Sequence, residues 1–456
     1  MLYKKIEAAI ETKISNKQIQ SGEKLPSIRV LAQTYSCSKN TVIKAMSELE
    51  KKHLVYAVPK QGFFVAVSNE EILEISTVID FLSAEPEITT INLENFYHCS
   101  EQIMAQVKDK LLPYGNPSGV ERLKEQLIPY LQNNQVFTSK NRLMITTGSQ
   151  QAIDLLMNMP FPNKRKKILV EQPTYFGALI SAKLSENDVL GISVEGQKID
   201  LEQLEYIFKN NEIKLFYTIP RFHNPLGHSY SNETKKAIVD LADKYDVYIL
   251  EDDYLGDLEL DTKRDPMYSY NPNGRVIYMK SFSKIFLPGL RLGMVVLPEA
   301  FISTFLEFKF SRDFSTPVFS QEILATYLEN GMFANHLKQS QQIYASKMKH
   351  VKSYCHKYLP PSVLLEIPDT GYYFSLKLPD NLYSHELVAA LKLKNVLVDD
   401  TSRMFLPNSK SKEYIRLSIS KINSKDLEFG IQQIAETIAE LGQRKYSIFK
   451  EDHFYM

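Results

Sequence analysis

Residues 281–293 read Ser281-Phe282-Ser283-Lys284-Ile285-Phe286-Leu287-Pro288-Gly289-Leu290-Arg291-Leu292-Gly293. The run follows Val276–Lys280, an apolar stretch that reads as a buried strand. A lysine flanked by hydroxyls and followed by an arginine suits an anionic aldehyde cofactor. The amine of Lys284 forms a Schiff base, while Ser281, Ser283 and Arg291 can hold a phosphate dianion. The plain alternative is a surface lysine near an arginine, which the full string disfavours.

Strand-like runs lie on both sides of this segment, at Leu143–Thr147, Lys167–Glu171, Val189–Val194, Leu215–Ile219, Val247–Glu251 and Leu292–Leu297, with helical patterns between most of them. That alternation predicts an α/β domain with a largely parallel sheet, whose ligands bind at the carboxyl ends of the strands. The unusual residues fall there. Thr147-Gly148-Ser149-Gln150 leads from a strand into a helix, whose N-terminal N–H groups bind phosphate; alone, Gly-Ser is also an ordinary cap. Glu251-Asp252-Asp253-Tyr254 ends another strand. A carboxylate there can keep a pyridine nitrogen protonated, and Tyr254 can donate to a phenolic oxygen; three acids alone also suit magnesium. Asn224, followed by Pro225, either bonds that oxygen or simply makes a turn. Tyr175 can stack on a cofactor ring or sit in the core. Arg416 lies inside an apolar strand and needs a partner, either a ligand carboxylate or an internal Asp or Glu.

The whole chain has 456 residues, enough for two to four domains. Three widely spaced cysteines exclude a disulfide scaffold and a clustered zinc site, and no metal is expected. No apolar run reaches the ~18 residues of a membrane span, and the N-terminus lacks a signal-peptide pattern, so a cytoplasmic location is expected. Lys+Arg and Asp+Glu both number 54, yet residues 1–67 carry eleven of the former and five of the latter. A basic head on an acidic body points to a polyanionic partner for the head.

Within the head, Ile6, Ala9, Ile10 and Ile14 mark one helix face, Ile28, Leu31, Ala32 and Tyr35 a second, and Val42, Ala45, Met46 and Leu49 a third. Ser27 and Ser38 are the expected N-caps. Two short strand-like runs follow, joined by Pro59-Lys60-Gln61, as in a β-hairpin wing. Lys39, Asn40 and Lys44 lie off the apolar stripe of the third helix, placed for a DNA groove, and Lys60 for a phosphate. The alternative is a three-helix bundle with a solvated polar face.

Gly22-Glu23-Lys24-Leu25-Pro26-Ser27-Ile28-Arg29-Val30-Leu31-Ala32, Ser38-Lys39-Asn40-Thr41-Val42 and Gly62-Phe63-Phe64-Val65 closely resemble the GntR-type winged helix-turn-helix. The resemblance implies that Arg29, Ser38, Lys39, Thr41 and the wing contact double-stranded operator DNA. Position 39 is usually Arg in that family; Lys lacks the bidentate fork that reads guanine. The body motifs, in their order, resemble the class I aminotransferases of pyridoxal 5'-phosphate (PLP) fold type I. By that resemblance Lys284 carries PLP and Asp252 pairs with its pyridinium. Asn224 and Tyr254 hold the phenolic oxygen, and Tyr175 stacks on the ring. Ser149, Gln150, Ser281, Ser283 and Arg291 bind the phosphate, and Arg416 binds the carboxylate of an amino-compound effector. Tyr114 would reach the neighbouring subunit's phosphate, which implies a homodimer, by analogy a head-to-tail, domain-swapped one.

The fusion is the layout of MocR-type transcriptional regulators. The expected domains are a winged head over 1–67, a partly ordered connector over 68–92, and an aminotransferase-like body over 93–450 with a small α+β subdomain at about 360–445. Gly177 stands where the GABA-responsive regulator has an Arg. His223 and Leu226 replace commoner residues around Asn224-Pro225, and Asp399-Asp400-Thr401 stands where aminotransferases commonly have Pro-Gly. Two functions are carried forward: a regulator that senses an amino compound or PLP itself, and an active aminotransferase with a DNA-binding domain. A cofactor-free scaffold is disfavoured by Lys284, Asp252 and Arg291.

Overall fold

The computed structural model describes residues 2–16, 18–19, 22–52, 54–58, 62–65, 78–87, 93–106, 114–196, 198–271, 273–407 and 413–452. The chain divides into two compact units, Met1–Val78 and Ile79–Met456.

In the first unit, helices α1 (Leu2–Ser15), α2 (Ile28–Thr34) and α3 (Lys39–Lys51) precede the antiparallel strands β1 (Val55–Val58) and β2 (Gly62–Val65). Ile6, Ile10, Leu31, Val42, Ala45, Met46 and Leu49 meet in one buried cluster with Val55 and Val65, so the 3.6-residue stripes do face a shared core. Both caps form: Ser27 Oγ accepts from Val30 N–H and Ser38 Oγ from Thr41 N–H. Each such cap contributes about 1 kcal/mol to a helix start. Lys60 lies outside the described residues.

The second unit carries the remaining strands: β3 (Ile79–Asp80), β4 (Leu143–Thr147), β5 (Lys167–Gln172), β6 (Val189–Glu195), β7 (Lys198–Ile199), β8 (Ile213–Thr218), β9 (Tyr248–Asp252), β10 (Val276–Ser281), β11 (Leu292–Val296), β12 (Tyr373–Lys377), β13 (Val396–Leu397) and β14 (Tyr414–Ser418). Eight of them form one sheet in the order β4-β11-β10-β9-β8-β5-β6-β7. Its centre, β10-β9-β8-β5-β6, is parallel, while β11 runs antiparallel to both neighbours. β8, β9 and β10 are buried along their whole length, which is why they read as continuous apolar runs rather than as alternation.

A separate apolar core joins the C-terminal half of the helix Met332–Tyr358 to β12, β14, the helix Ser384–Leu393 and the helix Ser424–Asp452. Its C-terminal members run from Met348 to Ile438. It also takes in Ile79 and Phe81, which the sequence places in the connector. β3 runs parallel to β13, with Ile79 N–H donating to Asn395 O at 2.8 Å and Phe81 N–H to Leu397 O at 2.9 Å. The Phe81 ring is fully buried, worth about 1.5–3 kcal/mol, and it packs so closely under Gly430 that a Cβ there would lie 2.5 Å from the ring. The connector expected over 68–92 therefore ends at Val78, and residues 79–87 belong to the body.

Candidate functional site

The carboxyl ends of β4, β5, β8, β9 and β10 converge on a cavity of about 270 Å³. Ser149, Tyr175, Asn224, Asp252, Tyr254, Ser281, Lys284 and Arg416 line it, so eight of the expected site residues meet. Leu82, Ala84, Phe176, Ile219, Tyr373 and Arg403 complete the wall.

Asp252 closes β9 at the cavity floor. Its Oδ2 accepts from Tyr217 OH at 2.7 Å, whereas its Oδ1 is buried with no hydrogen-bond partner. Burial raises its pKa to about 7, with the Tyr217 bond opposing. An orphaned, buried carboxylate oxygen is costly and fits a protonated ring nitrogen. Its neighbours serve other ends. Strand alternation turns Glu251 and Asp253 to the opposite face. There Glu251 accepts from Met267 and Tyr268 N–H, and Asp253 pairs with Arg221 and Lys280. The three acids thus do not converge, and no metal-binding cluster occurs among the described residues.

Lys284 follows β10. Burial, then the positive charge of Arg416, lowers its pKa to about 8, and its Nζ donates to Ala84 O at 2.7 Å. The Lys284 carbonyl is held by Tyr372 OH. Beside it, Ser283 Oγ accepts from Arg291 Nη1 at 3.3 Å. Arg291 in turn lies against Gly148, the residue before the helix Ser149–Asn158; a Cβ on Gly148 would be 2.6 Å from its Nη2. Ser149, Ser281, Ser283, Arg291 and that helix N-terminus therefore form one cationic, donor-rich cradle that fits a phosphate.

Asn224 spends its Oδ1 on Arg416 Nη1 at 3.1 Å, leaving its amide nitrogen for a ligand. Tyr254 OH donates to Phe222 O at 2.7 Å. Arg416 is buried and takes the internal alternative: its Nη2 meets Asp399 Oδ2 at 2.7 Å, and its guanidinium lies 4.6 Å over the Tyr373 ring. Tyr175 is mostly buried at the wall, and burial pushes its hydroxyl up to about 12.

Two expected residues lie elsewhere. Gln150 is one position further along its helix than Ser149 and so turns about 100° away. Its Nε2 donates to Gly177 O and Ser181 Oγ, tying two helices together instead of reaching the cavity. Tyr114 is 87% exposed, 5.2 Å from the Phe314 ring, and outside its own chain's cavity. In the head, Arg29, Ser38, Lys39, Asn40 and Lys44 are exposed and Thr41 is half-buried. Thr41 bonds Ser38 Oγ at 2.9 Å, and Lys44 Nζ sits 4.6 Å over the Tyr3 ring.

A lysine and an unpaired buried acid sharing a cavity at the carboxyl edge of such a sheet define an aminotransferase-like body of PLP fold type I, here behind a winged helix-turn-helix head. Residues 77–434 match the family "aminotransferase class I and II" and residues 2–65 match "bacterial regulatory proteins, gntR family". The chain belongs to the class I and II aminotransferase family, in the GntR-headed arrangement of MocR-type regulators. The uncharacterized HTH-type transcriptional regulator YcxD of Bacillus subtilis is 36% identical over 435 residues, covering 94% of this chain and 98% of that protein. Aromatic-amino-acid aminotransferase 1 of Thermococcus litoralis is 29% identical over 377 residues, covering 81% and 90%. The crystal structure of kynurenine aminotransferase from Pyrococcus horikoshii, in complex with PMP, superimposes with a TM-score of 0.75 at 28% identity, over 81% of this chain and 93% of that one. No helix among the described residues is long and apolar enough to cross a membrane.

Proposed function

We propose that the protein is a PLP-dependent transcription regulator whose body senses an amino compound, or PLP itself, and whose head binds operator DNA. One observation supports this above the others: the chain that leaves the head contributes Leu82 and Ala84 to the wall of the cofactor cavity, and Ala84 O accepts from the Lys284 amine. Lys284 would carry the cofactor's aldehyde carbon, and Asp252 Oδ1 would face its ring nitrogen. Asn224 and Tyr254 would take its phenolic oxygen and Tyr175 would stack on its ring. Ser149, Ser281, Ser283 and Arg291 would hold its phosphate, with Tyr114 supplied by the second subunit of a homodimer. When bound, PLP supplies a conjugated electron sink to an amine. On this chain's side, Lys284 would leave the Ala84 carbonyl on engaging the cofactor, and Ala84 lies early in the second unit, in the stretch that follows the head in sequence. A ligand acts on DNA binding only through a difference in affinity for two states, and ~1.4 kcal/mol of difference gives tenfold.

The second reading, an active aminotransferase, is favoured by the completeness of the same residue set and by the likeness to the Thermococcus enzyme. One experiment separates them. The full chain is loaded with PLP and its visible spectrum is followed with a panel of amines and amino acids, with operator binding measured in parallel. A regulator shifts its band and its DNA affinity and releases no keto acid. Bleaching to the pyridoxamine form, reversed by a keto acid, would put the enzyme reading first.

For the head, Lys39→Ala and Lys44→Ala are each expected to weaken operator binding. Each should also reduce the slope of log K against log salt by about 0.9 for every DNA phosphate that the variant no longer neutralises. Cofactor binding should not change in either. Wild-type affinity and slope in both variants would remove α3 as the DNA-reading helix.

A further inference from the structure

We propose that Glu171 is a positioning residue of the site that would take the cofactor's phenolic oxygen: it pins the loop that carries Asn224 at both ends and beside its tip. The proposal deepens the PLP reading above and rests on it for the place of that oxygen. Residues 219–230 leave the end of β8 without helix or strand, and nearly all of them are buried. A buried loop must find its polar partners inside the protein. Glu171, fully buried on β5, supplies several of them. At the loop's entry its Oε2 accepts from Ile219 N–H at 3.0 Å and its Oε1 from Thr218 Oγ1 at 2.6 Å. At the exit its Oε1 also accepts from Tyr230 OH at 2.7 Å. Next to Asn224, His223 places its Nε2 3.2 Å from Oε2.

Both groups expected at the phenolic oxygen depend on this loop. Asn224 follows His223, whose ring is held from two sides: Nδ1 accepts from Leu226 N–H at 3.4 Å, and the His228 ring stacks on it at 4.7 Å and 9°. Tyr254 OH donates to Phe222 O at 2.7 Å. Backbone bonds close the same turn, His223 N–H to His228 O at 2.7 Å and Tyr230 N–H to Pro220 O at 2.9 Å. A shift of the loop therefore carries the Asn224 amide and the Tyr254 hydroxyl with it. Charge matters here as well as shape. Burial opposes ionisation of Glu171, but His223, Thr218 and Tyr230 outweigh it and hold its pKa below the ordinary value. Hydrogen bonds to an ionised acceptor are roughly twice as strong as neutral ones, so a neutral amide of the same size would hold the loop less firmly. A buried carboxylate is costly without partners, and those of the Glu171 side chain, among the described residues, all lie between 218 and 230.

The test is a double-mutant cycle on the full chain, read by PLP titration, by the pH at which the visible band titrates, and by the melting point of the apo protein. Glu171→Gln keeps the size of the side chain and one acceptor oxygen. It is expected to bind PLP about tenfold more weakly than wild type and to move the pH of the band's titration. In an Asn224→Ala background that loss should shrink by about threefold or more, because the group that Glu171 positions is already gone. A loss of equal size in both backgrounds would overturn the proposal. So would a lower apo melting point with unchanged PLP affinity and band titration, which is the pattern of a purely structural acid. Should Glu171→Gln not fold, Tyr230→Phe, which removes only the exit bond, takes its place in the same cycle. It is then expected to weaken PLP binding about threefold in the wild-type background and not at all in Asn224→Ala, equal effects again counting against the role. If the wild type itself forms no visible band with PLP, the cofactor reading has failed, and the positioning role falls with it.

Discussion

Replacing Lys284 with alanine is expected to abolish the visible band that the wild type acquires with PLP, and with it every amine-dependent change in DNA binding. The variant should remain folded and able to bind operator. The side chain lies in a cavity, its single hydrogen bond goes to a backbone carbonyl, and its removal strands no buried charge. A large loss of cofactor chemistry with little loss of stability is therefore the expected pattern. An unaltered amine response in Lys284→Ala would refute the Schiff-base mechanism, because no other lysine lines the cavity among the described residues.

The same residue sets a pH dependence. A Schiff base forms from the neutral amine. With the pKa lowered to about 8, about a quarter of Lys284 is neutral at pH 7.5, against about one part in a thousand for an ordinary lysine at 10.5. The rate at which the apo chain captures PLP should rise with pH and level off above about 8. A rise that continues to 10 or beyond would mean that burial and Arg416 do not act on this amine.

Much of this site can be read from the chain because its chemistry needs unusual residues at strand ends. Lys284, Ser149 and Asn224 each follow a strand, and Asp252 ends one; the apolar run of each strand is plain in the sequence, and a parallel sheet brings such ends together. Ser27 and Ser38 are legible for a local reason, since a cap is decided within three residues. What stays hidden acts through backbone or through distance. Ala84 contributes a carbonyl, which any residue could supply, and Leu82 and Phe81 look like an apolar stretch of a connector. Only the pairing of β3 with β13, more than 300 residues on, makes them part of the wall. Gln150 is misplaced by its motif because a motif gives neighbours in sequence the same role, whereas a helix sends them about 100° apart. Arg416 keeps both alternatives open in the sequence, and nothing near it shows that Asp399 fills its fork. Arg403 and Tyr373 carry no pattern at all, since they enter the site from loops and strands of the small core.

Asp252 and Asp253 are adjacent, equally buried and chemically alike, and they are expected to fail in opposite ways. In Asp253→Ala, Arg221 loses a bidentate partner, Lys280 loses a second acid, and Tyr278 OH loses its acceptor. Burial works against the charged form of Asp253, but Arg221 and Lys280 outweigh it and hold its pKa at about 2; the carboxylate is ionised in the fold and required by its neighbours. Removing it should cost about 3–5 kcal/mol, seen as a fall in the apparent melting point on the order of 10 °C. In Asp252→Asn, by contrast, no buried cation is abandoned and Tyr217 OH keeps an acceptor. Burial already raises the Asp252 pKa to about 7, above the unfolded value of 3.8, so between about pH 4 and 7 the unfolded chain releases a proton that the fold retains. The apo protein therefore loses stability as pH rises through that window. The Asn variant, which has no proton to lose there, should be at least as stable as wild type at neutral pH and show a flatter pH profile, yet bind PLP far more weakly. The melting point of both apo variants, followed by a PLP titration, checks both expectations. A destabilised Asp252→Asn with normal PLP affinity would show that Asp252 is a structural acid like its neighbour, and that strand alternation has not separated their roles.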